Sequence, residues 1–342
     1  MLLASALACT GAPDDSSRRG GAVGAADGAT AADLPGLYAP GVLSTADYEL
    51  NAAFSPGGDT LLFTKSAFSH WWMTVFMVTR EGDGWSEPEV APFSGRYSDA
   101  DAIYSPDGSA VYLISDRPIE PGGSPAEFNI WRVPVTNGEF GEPEPLPAPI
   151  RSDGNDYFPA VASGGALYFS SARDGGVGGY DLYRSEPDGA GGWTEPVLLP
   201  ETVNGESSEI DVVVDPDERF LVFAAYGRDD GLGSGDLYVS FRTDEGGWTE
   251  AENLGEPVNS SAREYAPGLS PDGEYLYVTS ERTLYERGET RMDTQRWNRM
   301  MRGPGNGAGD IYRYRIADLP AFAGTPTARA DADDAGARVE AS

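Results

Sequence analysis

Residues 263–282 read REYAPGLSPDGEYLYVTSER, and the chain repeats this sentence five times. It holds an acid, a short alternating run, a Ser-Pro-Asp-Gly turn, a second apolar run (Leu276, Tyr277, Val278) and an arginine. Asp-Gly between two alternating runs is the strongest short-range signal for a β-hairpin. After a variable loop, Gly309-Asp310-Ile311-Tyr312 opens a third strand.

The other copies follow from this one. The second strand recurs at Leu61-Leu62-Phe63, Val111-Tyr112-Leu113, Leu167-Tyr168-Phe169 and Leu221-Val222-Phe223. The third recurs at Val75-Phe76, Ile130-Trp131, Leu182-Tyr183 and Leu237-Tyr238. A fourth is expected to begin at Trp85-x-x-Pro88, Phe140-x-x-Pro143, Trp193-x-x-Pro196 and Trp248-x-x-Ala251. Four short strands per period of roughly fifty residues mark the blade of a β-propeller. The pattern gives an all-β fold of five four-stranded antiparallel blades. Blade five lacks a fourth strand of its own, and Leu37-x-x-Pro40-x-x-Leu43 matches the missing element. Residues 37–43 are therefore expected to supply it from the N-terminus and close the ring, leaving no open sheet edge.

The repeat resembles the TolB-type, WD-like propeller repeat of bacterial periplasmic and secreted proteins. Tyr104-Ser105-Pro106-Asp107-Gly108, Leu269-Ser270-Pro271-Asp272-Gly273 and the Ser-x-Arg ending at Arg117 and Arg282 carry the likeness, over about 48–316. The resemblance implies a binding platform in the cell envelope. TolB itself carries six such blades, so a six-bladed ring is the alternative. Blades one, three and four depart from Ser-Pro-Asp-Gly, which implies drift in the turns.

Composition narrows the partners. The 342 residues carry a formal charge of −31, with one lysine (Lys65) among 24 basic residues. Such a surface repels nucleic acid and anionic lipid. A single cysteine, Cys9, rules out an intramolecular disulfide. Residues 1–9 end in Ala6-Leu7-Ala8-Cys9 and resemble the tail of a lipoprotein signal peptide, with Cys9 lipidated; an ordinary unstructured N-terminus is the other reading. Residues 10–33 and 323–342 are rich in Gly, Ala and Asp and read as a tether and a disordered tail around a 34–322 propeller. No apolar run is long enough to span a membrane. The expected product is a monomeric, extracytoplasmic protein, in the periplasm or at the cell surface, anchored to the outer membrane through Cys9.

An acid opens the inner strand of every blade: Glu49, Asp99, Asp156, Glu209 and Glu264. Arg117, Arg173, Arg228 and Arg282 follow the second strands and should meet these acids at one rim of the channel. Five equivalent positions point to staples between blades, because a catalytic site needs distinct residues in distinct roles. Blade one has Ser66-Ala67 in place of the arginine, so Glu49 is expected to lack a partner. With Asp101 and Asp211 deeper in the channel, it could then help hold a hard cation such as calcium. No metal-loop spacing supports a dedicated metal site.

Two loops on that rim are irregular. Phe68-Ser69-His70-Trp71-Trp72 packs three aromatics beside the only histidine, and residues 283–308 carry five arginines against three acids. A short helix is expected within 291–302, presenting Arg296, Trp297 and Arg299. These residues either bury one another as a lid or recognise a protein, peptide or glycan. The glycine-rich loops at 173–181 and 228–236 precede strands, which speaks against phosphate cradling. A serine triad lacks its nucleophile context, and one histidine argues against the metal-histidine chemistry of the TolB-type lyases. The leading reading is a non-enzymatic binding platform. The alternative is a glycosidase working through Asp99, Asp101, Asp211 and Glu264.

Overall fold

The computed structural model describes residues 34–323, apart from residues 121, 126, 286, 287, 289 and 290 and the side chain of Phe68. The lipidation, tether and tail readings fall outside the described residues. Within them, five antiparallel sheets follow one another along the chain. The inner strands are Tyr48–Phe54, Asp99–Tyr104, Asp156–Val161, Ser208–Val214 and Glu264–Leu269. Each pairs with a second strand, and each second strand with a third. The inner strand of blade five packs against that of blade one, so the ring shuts at five blades.

The alternation of the sequence explains the core. Both faces of each blade are covered by its neighbours, so second strands such as Ala110–Ser115 and Leu167–Ser171 are buried along their whole length. Five apolar clusters result, one per gap between blades. Leu43, Phe63 and Ile311 pack between blades five and one, and Tyr168, Val212 and Phe223 between blades three and four.

The turns keep their geometry where their sequence drifts. Gly58, Gly108, Gly165 and Gly273 hold φ between 70° and 86° at the last turn position, a region open to glycine at little cost. Blade four places Glu218 there at φ 57°. Its carboxylate accepts hydrogen bonds from the Tyr168 hydroxyl and, at 2.9 Å, from Arg184 of blade three.

The outer strands differ from expectation. Trp85 and Phe140 close small hairpins off the third strand, and the outer strands proper are the two-residue segments Glu89–Val90 and Glu144–Pro145 that follow the prolines.

Closure comes from the N-terminus, over a shorter stretch than 37–43. Tyr38 donates its N–H to Ile311 at 2.8 Å, and Arg313 donates to Gly36 at 2.7 Å. Residues 39–43 then turn away, and Ser44 Oγ accepts from the Ile311 N–H at 3.0 Å and donates to its carbonyl at 3.1 Å. Leu43 is completely buried beneath this clasp. Deleting residues 1–44 should yield an aggregating or molten product, and Leu43→Ala should cost about 2–5 kcal/mol. Size-exclusion chromatography and thermal melts check both; a monomeric, cooperatively melting truncation would show that the ring closes without this strand.

Candidate functional site

The acids and arginines meet as the repeat implied. Arg117 lies 3.0 Å from Asp99, Arg173 3.1 Å from Asp156, Arg228 2.9 Å from Glu209 and Arg282 3.2 Å from Glu264. All four carboxylates are buried. Each pair lies within one blade. The same guanidinium also donates to a carbonyl in the segment arriving from the preceding blade: Phe93, Ile150, Val203 and Val258. It rests on the aromatic of the third strand, as Arg282 does on Tyr312 at 4.6 Å. Neighbouring blades are stitched by the backbone: the N–H groups of Glu49, Asp156, Glu209 and Glu264 donate to Gly309, Phe128, Tyr180 and Gly235 of the blade before.

Blade one corrects the expectation that Glu49 is unpaired. Lys65, the only lysine, lies 3.1 Å from Glu49 and 2.7 Å from Asp47. It stands directly across the ladder from Glu49, where the other blades carry Ser or Ala, and so reaches the acid from a different position. Glu49 is therefore taken, and the calcium set imagined around it loses a ligand. Among the described residues, no group of three or more His, Cys, Asp or Glu side chains is placed to hold a metal ion.

Two residues beyond each acid, every inner strand bulges. Asn51, Asp101, Phe158, Asp211 and Ala266 all adopt φ between 45° and 59°, and the register slips there in all five blades. Asn and Asp tolerate this left-handed region better than other non-glycine residues, which accounts for three of the five. Asp101 and Asp211 thus sit at one level of the channel, 8% and 7% exposed. Asp211 accepts a hydrogen bond from the Ala266 N–H at 3.3 Å and feels the charge of Arg263. Asp101 has neither a hydrogen bond nor an ion pair among the described residues. Burial and the neighbouring Asp211 carboxylate push its pKa well up, and burial lifts Asp211 to about 6. Of the carboxylates a glycosidase would use here, Asp99 and Glu264 are ion-paired, and Asp101 and Asp211 are buried.

Above that level lies a network with no counterpart in the repeat. The Arg263 guanidinium stacks on Tyr265 at 4.1 Å, donates to the Tyr226 hydroxyl at 3.1 Å and reaches Glu281 at 3.3 Å. Tyr265 donates to the Tyr48 hydroxyl, and Tyr48 in turn to Glu281. His70 packs edge-on against Tyr48 at 4.8 Å, with Ser66 Oγ 2.8 Å from its Nδ1. Burial and the Arg263 charge lower its pKa. No carboxylate is hydrogen-bonded to His70 among the described residues, so no triad is assembled.

The rim itself is apolar and open. Trp71 is 70% exposed and Trp297 51%, so the lid reading fails for both. Val177, Leu232, Met292 and Met301 add exposed apolar groups from three blades on the same face. The helix in the long loop, α1 (Thr294–Met300), is capped by Asp293, whose carboxylate accepts from the Arg296 N–H at 2.8 Å. Arg296 is buried with its guanidinium over Tyr285 and so anchors the helix, while Arg299 faces solvent. The loop is pinned beside blade one by Asn306 Nδ2, which donates to Ala46 at 3.1 Å.

No protein-family model matches the chain, and no curated protein matches it. The chain is a five-bladed β-propeller. Solved structures with a similar course include a putative TolB from Agrobacterium tumefaciens, at 17% identity, 79% of this chain, 90% of that one and a TM-score of 0.45. TolB from Acinetobacter baumannii matches at 14% over 78% of this chain, with a TM-score of 0.44; the propeller spans 56% of that protein. An α-L-arabinofuranosidase from Lactobacillus brevis matches at 10%, over 82% and 94% of the two chains, with a TM-score of 0.45. At these scores no residue's role in the propeller is taken from its neighbours.

Two predictions follow from the geometry of this face. A Cβ on Gly178 would sit 1.8 Å from the Ser207 carbonyl oxygen, against open space at Gly164. Gly178→Ala should therefore cost about 3 kcal/mol in a denaturant melt and Gly164→Ala almost nothing. The second concerns pH. A carboxyl group whose pKa is raised by folding makes folding less favourable as pH climbs from its unfolded to its folded value. For Asp211 that window runs from 3.8 to about 6. Asp101→Asn removes the unpaired charge and its repulsion of Asp211. It should raise Tm at pH 8 by roughly 2–4 °C per kcal/mol gained, with the gain shrinking below about pH 6. An equal effect at pH 4 and pH 8 would mean that charge is not the cause.

Proposed function

We propose that this propeller is an extracytoplasmic binding platform that engages a protein, peptide or glycan on the rim where the second and third strands are joined. The observation that carries the reading is the exposure of Trp71, Trp72, Trp297, Met292 and Met301 on one face of a strongly acidic protein. Large aromatics left in water beside an arginine are what recognition surfaces provide. A fold with five buried inter-blade cores has no need of them for stability. The staples support this division of labour, since they hold the rim rigid without occupying its surface, and a preformed surface loses less conformational freedom on binding.

No catalytic role is assigned to the five acids that open the inner strands, because four are paired with arginine and one with lysine. The acidic bulk of the surface favours neutral or basic partners overall. Arg291, Arg299 and Arg302, all exposed, let the long loop also receive acidic groups.

The test uses the full chain and a Trp71→Ala/Trp72→Ala/Trp297→Ala variant, with envelope extract split into protease-treated and glycosidase-treated halves. Exposed residues contribute little to folding, so Tm should stay within about 2 °C while capture falls at least tenfold. The half that loses the ligand gives its class. Unchanged capture by the variant removes the rim from consideration, and a collapse in Tm returns these tryptophans to the fold.

A further inference from the structure

The bulge level of the channel carries an unanswered demand for positive charge. Asp101 is 8% exposed, has no hydrogen bond or ion pair among the described residues, and is held at φ 53°. An unpaired carboxylate in such surroundings is costly to keep ionised. Arg263 serves Asp211 and Glu281, and among the described residues no other cation pairs with Asp101.

A second observation stands at the same level in the adjacent blade. Asn51 is 1% exposed, and its Nδ2 donates to the carbonyl of Ala102, the residue after Asp101, at 2.8 Å. That bond fixes the amide beside Asp101, and Oδ1 is left as a buried acceptor with no donor. Buried acceptors are seldom left so. On Asp211, Oδ2 takes the Ala266 N–H, and Oδ1 has no donor among the described residues.

Three acceptor-bearing side chains on one five-fold level, two of them carboxylates, fit one chemistry. We infer that the channel binds a primary ammonium group, whose three N–H donors go to Asp101, Asp211 and Asn51 Oδ1. A primary ammonium carries three donors and one charge. A guanidinium is planar, and a quaternary ammonium has no donors. A calcium ion takes six to eight oxygens, more than these side chains supply. The remaining positions of the level, Phe158 and Ala266, are apolar. Above them Tyr157 and Tyr226 lie close enough to feel the charges of Asp101 and Asp211, and aromatic faces favour a cation. A lysine side chain and a free alkylamine share this chemistry. The site lies below the tryptophan rim and does not rest on the rim's proposed role.

Calorimetric titration of the full chain at pH 7.5 tests the inference. Probes are n-butylamine, Nα-acetyl-lysine methylamide, its Nε-acetylated form, tetramethylammonium and calcium chloride. One-to-one binding of a primary amine is expected, with the Nε-acetylated lysine and tetramethylammonium at least tenfold weaker. Tighter binding of the lysine derivative assigns the site to a lysine of a partner chain, and tighter binding of butylamine to a free amine. Asp101→Asn should weaken the amine at least tenfold, and Asn51→Gly, which suits the positive φ, by a smaller factor. The tryptophan triple variant should bind the amine unchanged. Absence of amine binding, equal binding of tetramethylammonium, or calcium binding that no amine displaces would each overturn the proposal. So would full amine affinity in a folded Asp101→Asn protein.

Discussion

A buried acid at the head of each inner strand is the constraint on which the rest of the propeller depends. A carboxylate removed from water is tolerated only with a cation and hydrogen bonds around it. Each blade meets that demand in place. The arginine that answers the acid also grips the incoming chain, and in four blades the N–H of the acid closes onto the blade before. One residue therefore fixes where a strand begins, how its neighbour ends and how two blades meet. Because the demand is local to every blade, the turns between strands are free to vary, as Glu218 in place of glycine shows.

The same arrangement separates the buried framework from the exposed surface of the rim. Ion pairs lie beneath, and the exposed tryptophans and the α1 loop lie above. The glycine-rich loops belong to the architecture. Gly178 and Gly233 sit so close to the Ser207 and Ala262 carbonyls that any side chain would push neighbouring blades apart. Their glycines serve chain packing, in line with the reading that they do not cradle phosphate.

What the sequence made legible is what it repeats. Blade number, the order of strands and the meeting of acid with arginine all come from residues recurring at fixed offsets. The failures occur where the period breaks. Lys65 answers Glu49 from across the ladder, so a search at the arginine position finds Ser66-Ala67 and reports nothing. The bulge is occupied by Asn, Asp, Phe, Asp and Ala, with only the preference of Asn and Asp for positive φ to betray it. Arg263 stands where the other blades carry Tyr48, Ser98, Asn155 and Ser208, so no comparison between blades could single it out. Outer strands of two residues are too short to show alternation. The lid or recognition question turned on solvent exposure, which a sequence pattern does not carry.

The clasp between Ser44 and Ile311 joins residues 267 positions apart. On a ribosome its first half emerges long before its second exists, so the earliest-made segment has no partner until the last blade is complete. Contacts of such long range slow folding, and residues 36–44 stay without their sheet in the meantime. The order of synthesis thus sets a period in which the segment that will close the ring waits without a sheet to join, and its protection bears on the yield of the protein as much as the stability of the closed ring does.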